Sequence, residues 1–252
     1  MKTNPTLRFD DRVVVVTGGS KGLGRAMALG FAHAGADVVV ASRKLAACEE
    51  VAEEIAALGR SSLAVACHVG DWADCETLIN RTVAKFGRID VLVNNAGIAP
   101  VAPSLAEITE DLFDKTVAVN LKGPVRLTGL AASHMPPGST VINISSKASV
   151  ANTPLTTVYG AAKAALNSFT RAAALELGPK GIRVNAIVCG TFLTDTLAKN
   201  LPTAEARAFL ADKISLGRIA DPTEIVGTAL WMAGDASSYV NGQSVTIDGG
   251  GG

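Results

Sequence analysis

Seven short runs rich in Val and Ile punctuate this sequence, with longer alanine-rich or amphipathic stretches between them. VVVVT at residues 13–17 precedes a helical pattern over 23–33, DVVVAS at 37–42 precedes 45–58, and SLAVAC at 62–67 precedes 73–86. VLVNN at 91–95 leads into a long helical region from near Thr109, and TVINIS at 140–145 leads to a helix containing Tyr159. IRVNAIV at 182–188 and SVTI at 244–247 complete the series. Runs this short and apolar on both faces fit parallel strands covered by helices on each side. The βαβα order predicts an α/β, doubly wound Rossmann-type fold around a seven-stranded parallel sheet. No linker divides the chain, so one domain over residues 1–252 is expected. The least regular segment, about 191–214, follows the sixth run; ligands bind beyond such strand ends, which makes it a candidate substrate lid.

Composition narrows the function classes. The 252 residues carry 23 Lys and Arg against 23 Asp and Glu, so no net charge favours nucleic acid or an anionic membrane. Aromatic residues at 4% leave no stacking platform for single strands. The start, MKTNPTLRFDDR, has no apolar signal core, and no later run approaches the roughly 20 residues of a membrane span. A cytoplasmic protein is the expectation. Cys48, Cys67, Cys75 and Cys189 form no CxxC and no ligand-like pairing with the three histidines. They read as inert buried thiols, and no metal is expected.

After the first run comes TGGSKGLG, with Gly18, Gly22 and Gly24 opening a helix. Glycines permit a tight turn and close backbone approach, and the helix N-terminus offers N–H donors and positive dipole to a pyrophosphate. The second run ends Ala41-Ser42-Arg43-Lys44, without the carboxylate that selects an unphosphorylated ribose. Arg43 presents a planar donor fork suited to a 2′-phosphate, and Lys21 adds a second cation. NADP(H) is therefore the expected cofactor, with NAD(H) the alternative.

Tyr159 and Lys163 fall at i and i+4 of a helix-permissive stretch, thirteen residues beyond Ser146. A phenol of pKa ~10 is a poor acid or base at neutral pH. At an effective dielectric of ~20, an ammonium 4–5 Å away interacts by roughly 3–4 kcal/mol, enough to bring a phenol near neutrality.

Together these pieces resemble the short-chain dehydrogenase/reductase family in its single-domain form. The match runs from Val13 to Gly250 through TGGSKGLG, NNAG at 94–97, VNLKG around Asn120, ISS, YGAAK, IRVN at 182–185 and SYVNGQSVTIDGG. The resemblance implies that Tyr159 is the general acid in ketone reduction and the base in alcohol oxidation. Lys163 would hold the nicotinamide ribose and lower the phenol pKa, and Ser146 would hydrogen-bond the substrate oxygen. Asn120 would hold a water in a proton relay towards Lys163. The implied cofactor contacts are Gly18, Ser20, Lys21, Gly22, Leu23, Gly24, Ser42, Arg43, Val69, Asn94, Ala96, Gly97, Tyr159, Lys163, Gly190, Phe192 and Thr194. The family also implies a homotetramer with the helices of Asn120 and Tyr159 and the last strand at interfaces.

Two positions depart from the family pattern. His68-Val69 stands where Asp-Val is usual near the adenine, and His68 reads as a neutral structural residue. Cys189-Gly190 replaces Pro-Gly, which frees a backbone N–H and is expected to loosen the turn. Expected substrate walls at 98–105, 148–155 and 192–197 are apolar or small and favour a hydrophobic ketone or secondary alcohol as the small-molecule partner. A 3-oxoacyl thioester on an acyl carrier protein is the enzymatic alternative, although AASHMPPGST before the fifth run lacks a basic patch. A non-catalytic nucleotide-binding scaffold is the rival from another class. Retention of Asn120, Ser146, Tyr159 and Lys163 argues against it.

Overall fold

A computed structural model describes residues 7–151, 154–194, 197–198 and 203–251. All seven expected strands form: β1 (Val13–Thr17), β2 (Asp37–Ser42), β3 (Ser62–Ala66), β4 (Val91–Asn94), β5 (Thr140–Ser146), β6 (Arg183–Cys189) and β7 (Ser244–Ile247). They make one sheet in the order β3-β2-β1-β4-β5-β6-β7. Every pairing is parallel. The order reverses between β1 and β4, where such sheets open a crevice for ligands.

Among the described residues, the α-helices include α1 (Gly22–His33), α2 (Leu45–Ala57), α3 (Trp72–Phe86), α4 (Glu110–Val117), α5 (Gly123–Ala131), α6 (Thr157–Leu177), α7 (Ala204–Ala211) and α8 (Ile225–Ala233). Their ends follow local chemistry. The Asp71 side chain accepts from Ala73 N and Asp74 N to start α3, and Gly87 at φ 75 ends it. Thr109 accepts from Leu112 N to start α4. Between α4 and α5 the chain takes a π-helical turn over Ala118–Lys122, which includes Asn120. Such turns recur at functional sites.

The alternation of side chains along the strands builds two cores, one on each face of the sheet. One joins Val14, Val16, Ile142 and Ile187 to Met27 and Phe31 of α1 and to Ile225 and Met232 of α8. The other joins Val15, Leu92, Val141 and Val184 to Leu78 and Ile79 of α3, Leu127 of α5 and Leu177 of α6. Each fully buried large aliphatic contributes about 1.5–3 kcal/mol. The expectation of strands buried on both faces fails at the sheet edges. In β3 only Val65 is buried, and β7 alternates exposed and half-buried residues, because each edge has a neighbour on one side alone.

At the end of the sheet away from the crevice, buried Asp90 accepts from Arg12 Nη1 at 3.1 Å, Arg88 Nη2 at 2.6 Å and Val13 N at 2.9 Å. Arg88 Nε adds a fourth bond at 3.0 Å, and a carboxylate so buried is tolerated because each oxygen accepts two. At the crevice end, Thr17 does the stitching. Its hydroxyl donates to Val93 O at 3.2 Å and accepts from Asn95 N and Ala96 N at 3.0 and 3.1 Å.

Candidate active site

The turn after β1 is shaped by glycines in a way their neighbours enforce. Gly18 and Gly22 adopt φ 63 and 53, which L side chains rarely take. A Cβ on Gly18 would sit 2.8 Å from Asn95 Nδ2, and one on Gly24 would overlap Gly18 O and Asn95 Nδ2. Asn95 holds this arrangement by donating to Thr17 O at 2.8 Å and Gly18 O at 3.3 Å. Asn95 thus braces the candidate site's glycine turn, a role not read from the sequence although the residue lies within NNAG.

Beyond the turn opens a cavity of about 350 Å³. Of the residues assigned as cofactor contacts, Gly18, Ser20, Lys21, Ser42, Arg43, Val69, Ala96 and Gly97 line it. Lys44, Ala47, Cys67, His68, Ile98 and Val119 complete the wall. Lys21, Arg43 and Lys44 are all exposed, so three cations frame one end. Lys44 could have been found from its adjacency to Arg43 in the β2–α2 turn.

Other expected contacts take different places. Asn94 is buried in the sheet, donating to Asn143 Oδ1 at 2.9 Å and Thr128 Oγ1 at 3.2 Å. Leu23 packs against the first core. Phe192 is buried in that same core and lines a separate small cavity beside Asp248. Thr194 faces Gly22, where a Cβ would lie 3.3 Å from its methyl, and lines a groove with Ser20, Lys21 and Gly22. Gly190 follows β6 with its N–H donating to Ile247 O at 2.9 Å.

The four expected catalytic residues come from three elements. Ser146 ends β5, Tyr159 and Lys163 lie one turn apart on α6, and Asn120 sits in the π-turn. Lys163 is buried, and its Nζ donates to Ile144 O at 2.7 Å. It stands 5.8 Å from the centroid of the Tyr159 ring. Ser146 and Tyr159 share a side-chain hydrogen bond. Asn120 Nδ2 donates to Ile98 O and Thr116 O at 2.8 and 2.9 Å, and its Oδ1 accepts from Ile98 N at 3.3 Å. Gly160 permits the close approach of α6 to the segment after Ser146, since a Cβ there would be 2.8 Å from Ala148 O.

Gly97 joins the cavity to this group. It lines the cavity, and a Cβ on it would lie 3.0 Å from Asn120 Oδ1 and 3.6 Å from Lys163 Nζ. The cavity therefore runs from the cations at Arg43 to the edge of the Ser-Tyr-Lys group. Glycine-shaped backbone, a helix N-terminus, cations at one end and an aligned phenol and ammonium at the other fit a nicotinamide dinucleotide.

Electrostatics correct one sequence expectation. Burial pushes the Tyr159 phenol above its ordinary value, and the hydrogen bond from Ser146 is what opposes it. Burial also lowers the Lys163 ammonium to about 8. Desolvation is the leading influence on both groups, so the phenol is raised where spacing alone implies that Lys163 would lower it. A phenol raised in this way carries its proton at neutral pH.

The turn after β6 is also tighter than expected. Strand β6 continues through Cys189, which stands in register with Ser146 and Ile247. The ladder takes up the backbone that Pro would have released. Cys189 is buried, and burial pushes its thiol up to about 12 with Lys163 opposing. All four cysteines are buried free thiols. Asp195, Thr196 and residues 199–202 of the expected lid, and Asn152 and Thr153 of one expected substrate wall, lie outside the described residues.

The chain is similar to known proteins over nearly its whole length. The enoyl-(acyl carrier protein) reductase family profile matches residues 18–251. L-rhamnose 1-dehydrogenase (NAD(P)(+)) of Azotobacter vinelandii is 38% identical over 247 residues, covering 95% of this chain and 96% of its own. Among solved structures, a 7α-hydroxysteroid dehydrogenase in complex with NADH and 7-oxo glycochenodeoxycholic acid superposes with a TM-score of 0.94 at 33% identity, covering 100% of this chain and 98% of that one. A short-chain dehydrogenase from Burkholderia cenocepacia in complex with NADP gives a TM-score of 0.91 at 32% identity, covering 97% and 99%.

Proposed function

Because this chain belongs to the short-chain dehydrogenase/reductase family, enzymes that act on alcohol and carbonyl groups with NAD(P), we propose that it is an NADP(H)-preferring carbonyl reductase of a fairly apolar ketone. The observation that carries this reading is Gly97, which lines the cavity while facing Asn120 and Lys163. When bound, the dinucleotide supplies or accepts the hydride at its nicotinamide ring. Tyr159 gives its phenolic proton to the carbonyl oxygen as the alcohol forms, and Ser146 hydrogen-bonds the same oxygen. The Lys163 ammonium, one turn away, offsets the charge left on the phenol. Asn120, with its side chain fixed by three backbone bonds, orients a water that returns a proton towards Lys163.

Apolar substrate walls support the ketone class. Val101, Leu105, Val150 and Leu155 are large apolar side chains left exposed on the two segments joined by the bond from Ala102 N to Leu155 O. Residues 191–214 serve as the substrate lid of a single catalytic domain. Exposed Phe113 on α4, Val125 on α5, Leu175 on α6 and Tyr239 before β7 support a homo-oligomer, with a tetramer as the state expected of the family. The direct test is dinucleotide consumption across a panel of ketones and 3-oxoacyl thioesters with NADPH and NADH. Turnover confined to the thioesters would replace the ketone assignment with the acyl-carrier alternative. Binding without any turnover would favour the scaffold.

The cations at the cavity mouth give a cofactor prediction. Arg43→Ala is expected to raise the Kd for NADPH roughly 10–100-fold, as loss of a charge-assisted bond to a phosphate does, with NADH changed less than about threefold. Fluorescence titration measures both, and equal losses would contradict a 2′-phosphate contact.

A pH prediction follows from Lys163. Its folded-state value of about 8 means that the ammonium is present below that pH and is lost as pH rises through it. For ketone reduction, kcat/KM for NADPH is expected to be level from pH 6 to 7.5 and to fall above about 8. A profile level to pH 9.5 would remove the lysine charge from the rate.

A further inference from the structure

We infer that Lys147 and Asp248 are positioning residues that, with the glycine run 249–251, hold the Ser146 end of β5 and the return from α7 in one fixed arrangement around the carbonyl subsite. This rests on the function proposed above and identifies a part of the chain outside Ser146, Tyr159 and Lys163 that sets the geometry of that subsite. Lys147 follows Ser146 directly, and its Nζ lies 3.3 Å from Asp248 Oδ2, with the two side chains 25% and 17% exposed. Asp248 follows the last residue of β7 and packs on the turn after β6, where a Cβ on Gly190 would meet its Cα and Cβ at 2.5 Å. Burial pushes the Asp248 carboxyl up, but the Gly250 amide and Lys147 more than reverse this and keep it ionised.

From Asp248 the chain turns through Gly249 and Gly250 at φ 67 and 75. Gly249 O accepts from Leu216 N at 3.1 Å, and Gly250 O accepts from Ser215 Oγ at 2.7 Å. Gly251 forms an antiparallel bridge with Ile214. Each of these glycines is closely faced by the groups it joins. A Cβ would lie 2.8 Å from Ile214 Cγ2 at Gly249, 2.8 Å from Ser215 Oγ at Gly250, and 3.3 Å from Lys147 Nζ at Gly251. Residues 214–216 are where the chain returns from α7. One continuous set of contacts thus leads from Ser146 through Lys147, Asp248 and the glycine run to that return. An ion pair at its centre, shielded from solvent on most sides, ties together the chain just beyond β5 and the chain just beyond β7, past the last paired residues Ser146, Cys189 and Ile247 of the ladder.

Lys147→Met tests this. The expected results are a KM for the ketone raised roughly threefold to tenfold, kcat within about twofold, and a dinucleotide Kd within about twofold. Hydrogen exchange at the Ser215 and Leu216 amides should quicken by roughly the same threefold to tenfold. Lys147→Arg should restore both. Asp248→Asn, which keeps an acceptor for Gly250 N, should reproduce the effects and carries the test if Lys147→Met does not fold. Unchanged exchange at residues 215–216, an equal rise in dinucleotide Kd, or no rescue by Arg would overturn the inference. Should the wild-type chain reduce no carbonyl compound, the functional reading fails, while the exchange measurements still decide whether the pair holds the two segments.

Discussion

Tyr159→Phe is expected to cut turnover at least ~10²–10⁴-fold, the usual contribution of a positioned general acid, while dinucleotide affinity stays within about threefold. The ring remains, so the packing of α6 against the segment after Ser146 is unchanged; only the oxygen is removed. That oxygen holds the hydrogen bond to Ser146, and no other phenol is placed to replace it, because Tyr239, the second tyrosine of the chain, is fully exposed elsewhere. Raised by burial, the phenol is protonated throughout the neutral range, which suits donation to a nascent alkoxide. Single-turnover reduction with bound NADPH measures the chemical step directly. Residual reduction within tenfold of wild type would take the proton from a different source and sink the assignment.

Gly24→Ala should be nearly as damaging for another reason. The added methyl would overlap Gly18 O, a backbone atom, and Asn95 Nδ2, which is itself bonded to Thr17 O. Neither can swing away as the end of a long side chain could. Either α1 moves off the turn or Gly18 leaves its φ of 63, and both changes displace the amides at the start of α1. Loss of dinucleotide affinity by roughly 100-fold or more is expected, with a lower melting temperature, since strain of this kind typically costs about 1–3 kcal/mol. Titration and thermal denaturation of the same sample separate the two effects. Wild-type affinity in this variant would show that the pyrophosphate does not lie over the turn.

The sheet was readable because parallel buried strands are written as runs of β-branched residues, and helices between them as alanine-rich stretches. VVVVT and TVINIS needed no tertiary information. Edge behaviour did not show in the same way: SLAVA looks as apolar as an interior strand, and only its lack of an outer neighbour exposes Ala66. The Ser146, Tyr159 and Lys163 spacing was legible because helical geometry converts i and i+4 into adjacency. The sign of the phenol shift was not, since desolvation depends on how deeply α6 is packed, which spacing does not encode. Asn94 and Asn95 present the same difficulty. Asn94 is the last residue of β4 and bonds within the sheet, while Asn95 lies just past the strand end and supports the glycine turn. The Lys147–Asp248 contact joins residues about a hundred positions apart and leaves no local trace.

The strand order has a consequence for how the molecule acquires and keeps its site. The crevice lies between β1 and β4, and the bond from Asn95 to Thr17 spans 78 residues of chain. Closing so long a loop is paid for in chain entropy before any pairing rewards it, so this juncture is expected to form late in folding. A nucleotide that needs both strand ends cannot recruit a half-built chain. It acts on the finished molecule, holding the native state against opening by mass action, so cellular nucleotide supply would set how long each copy survives.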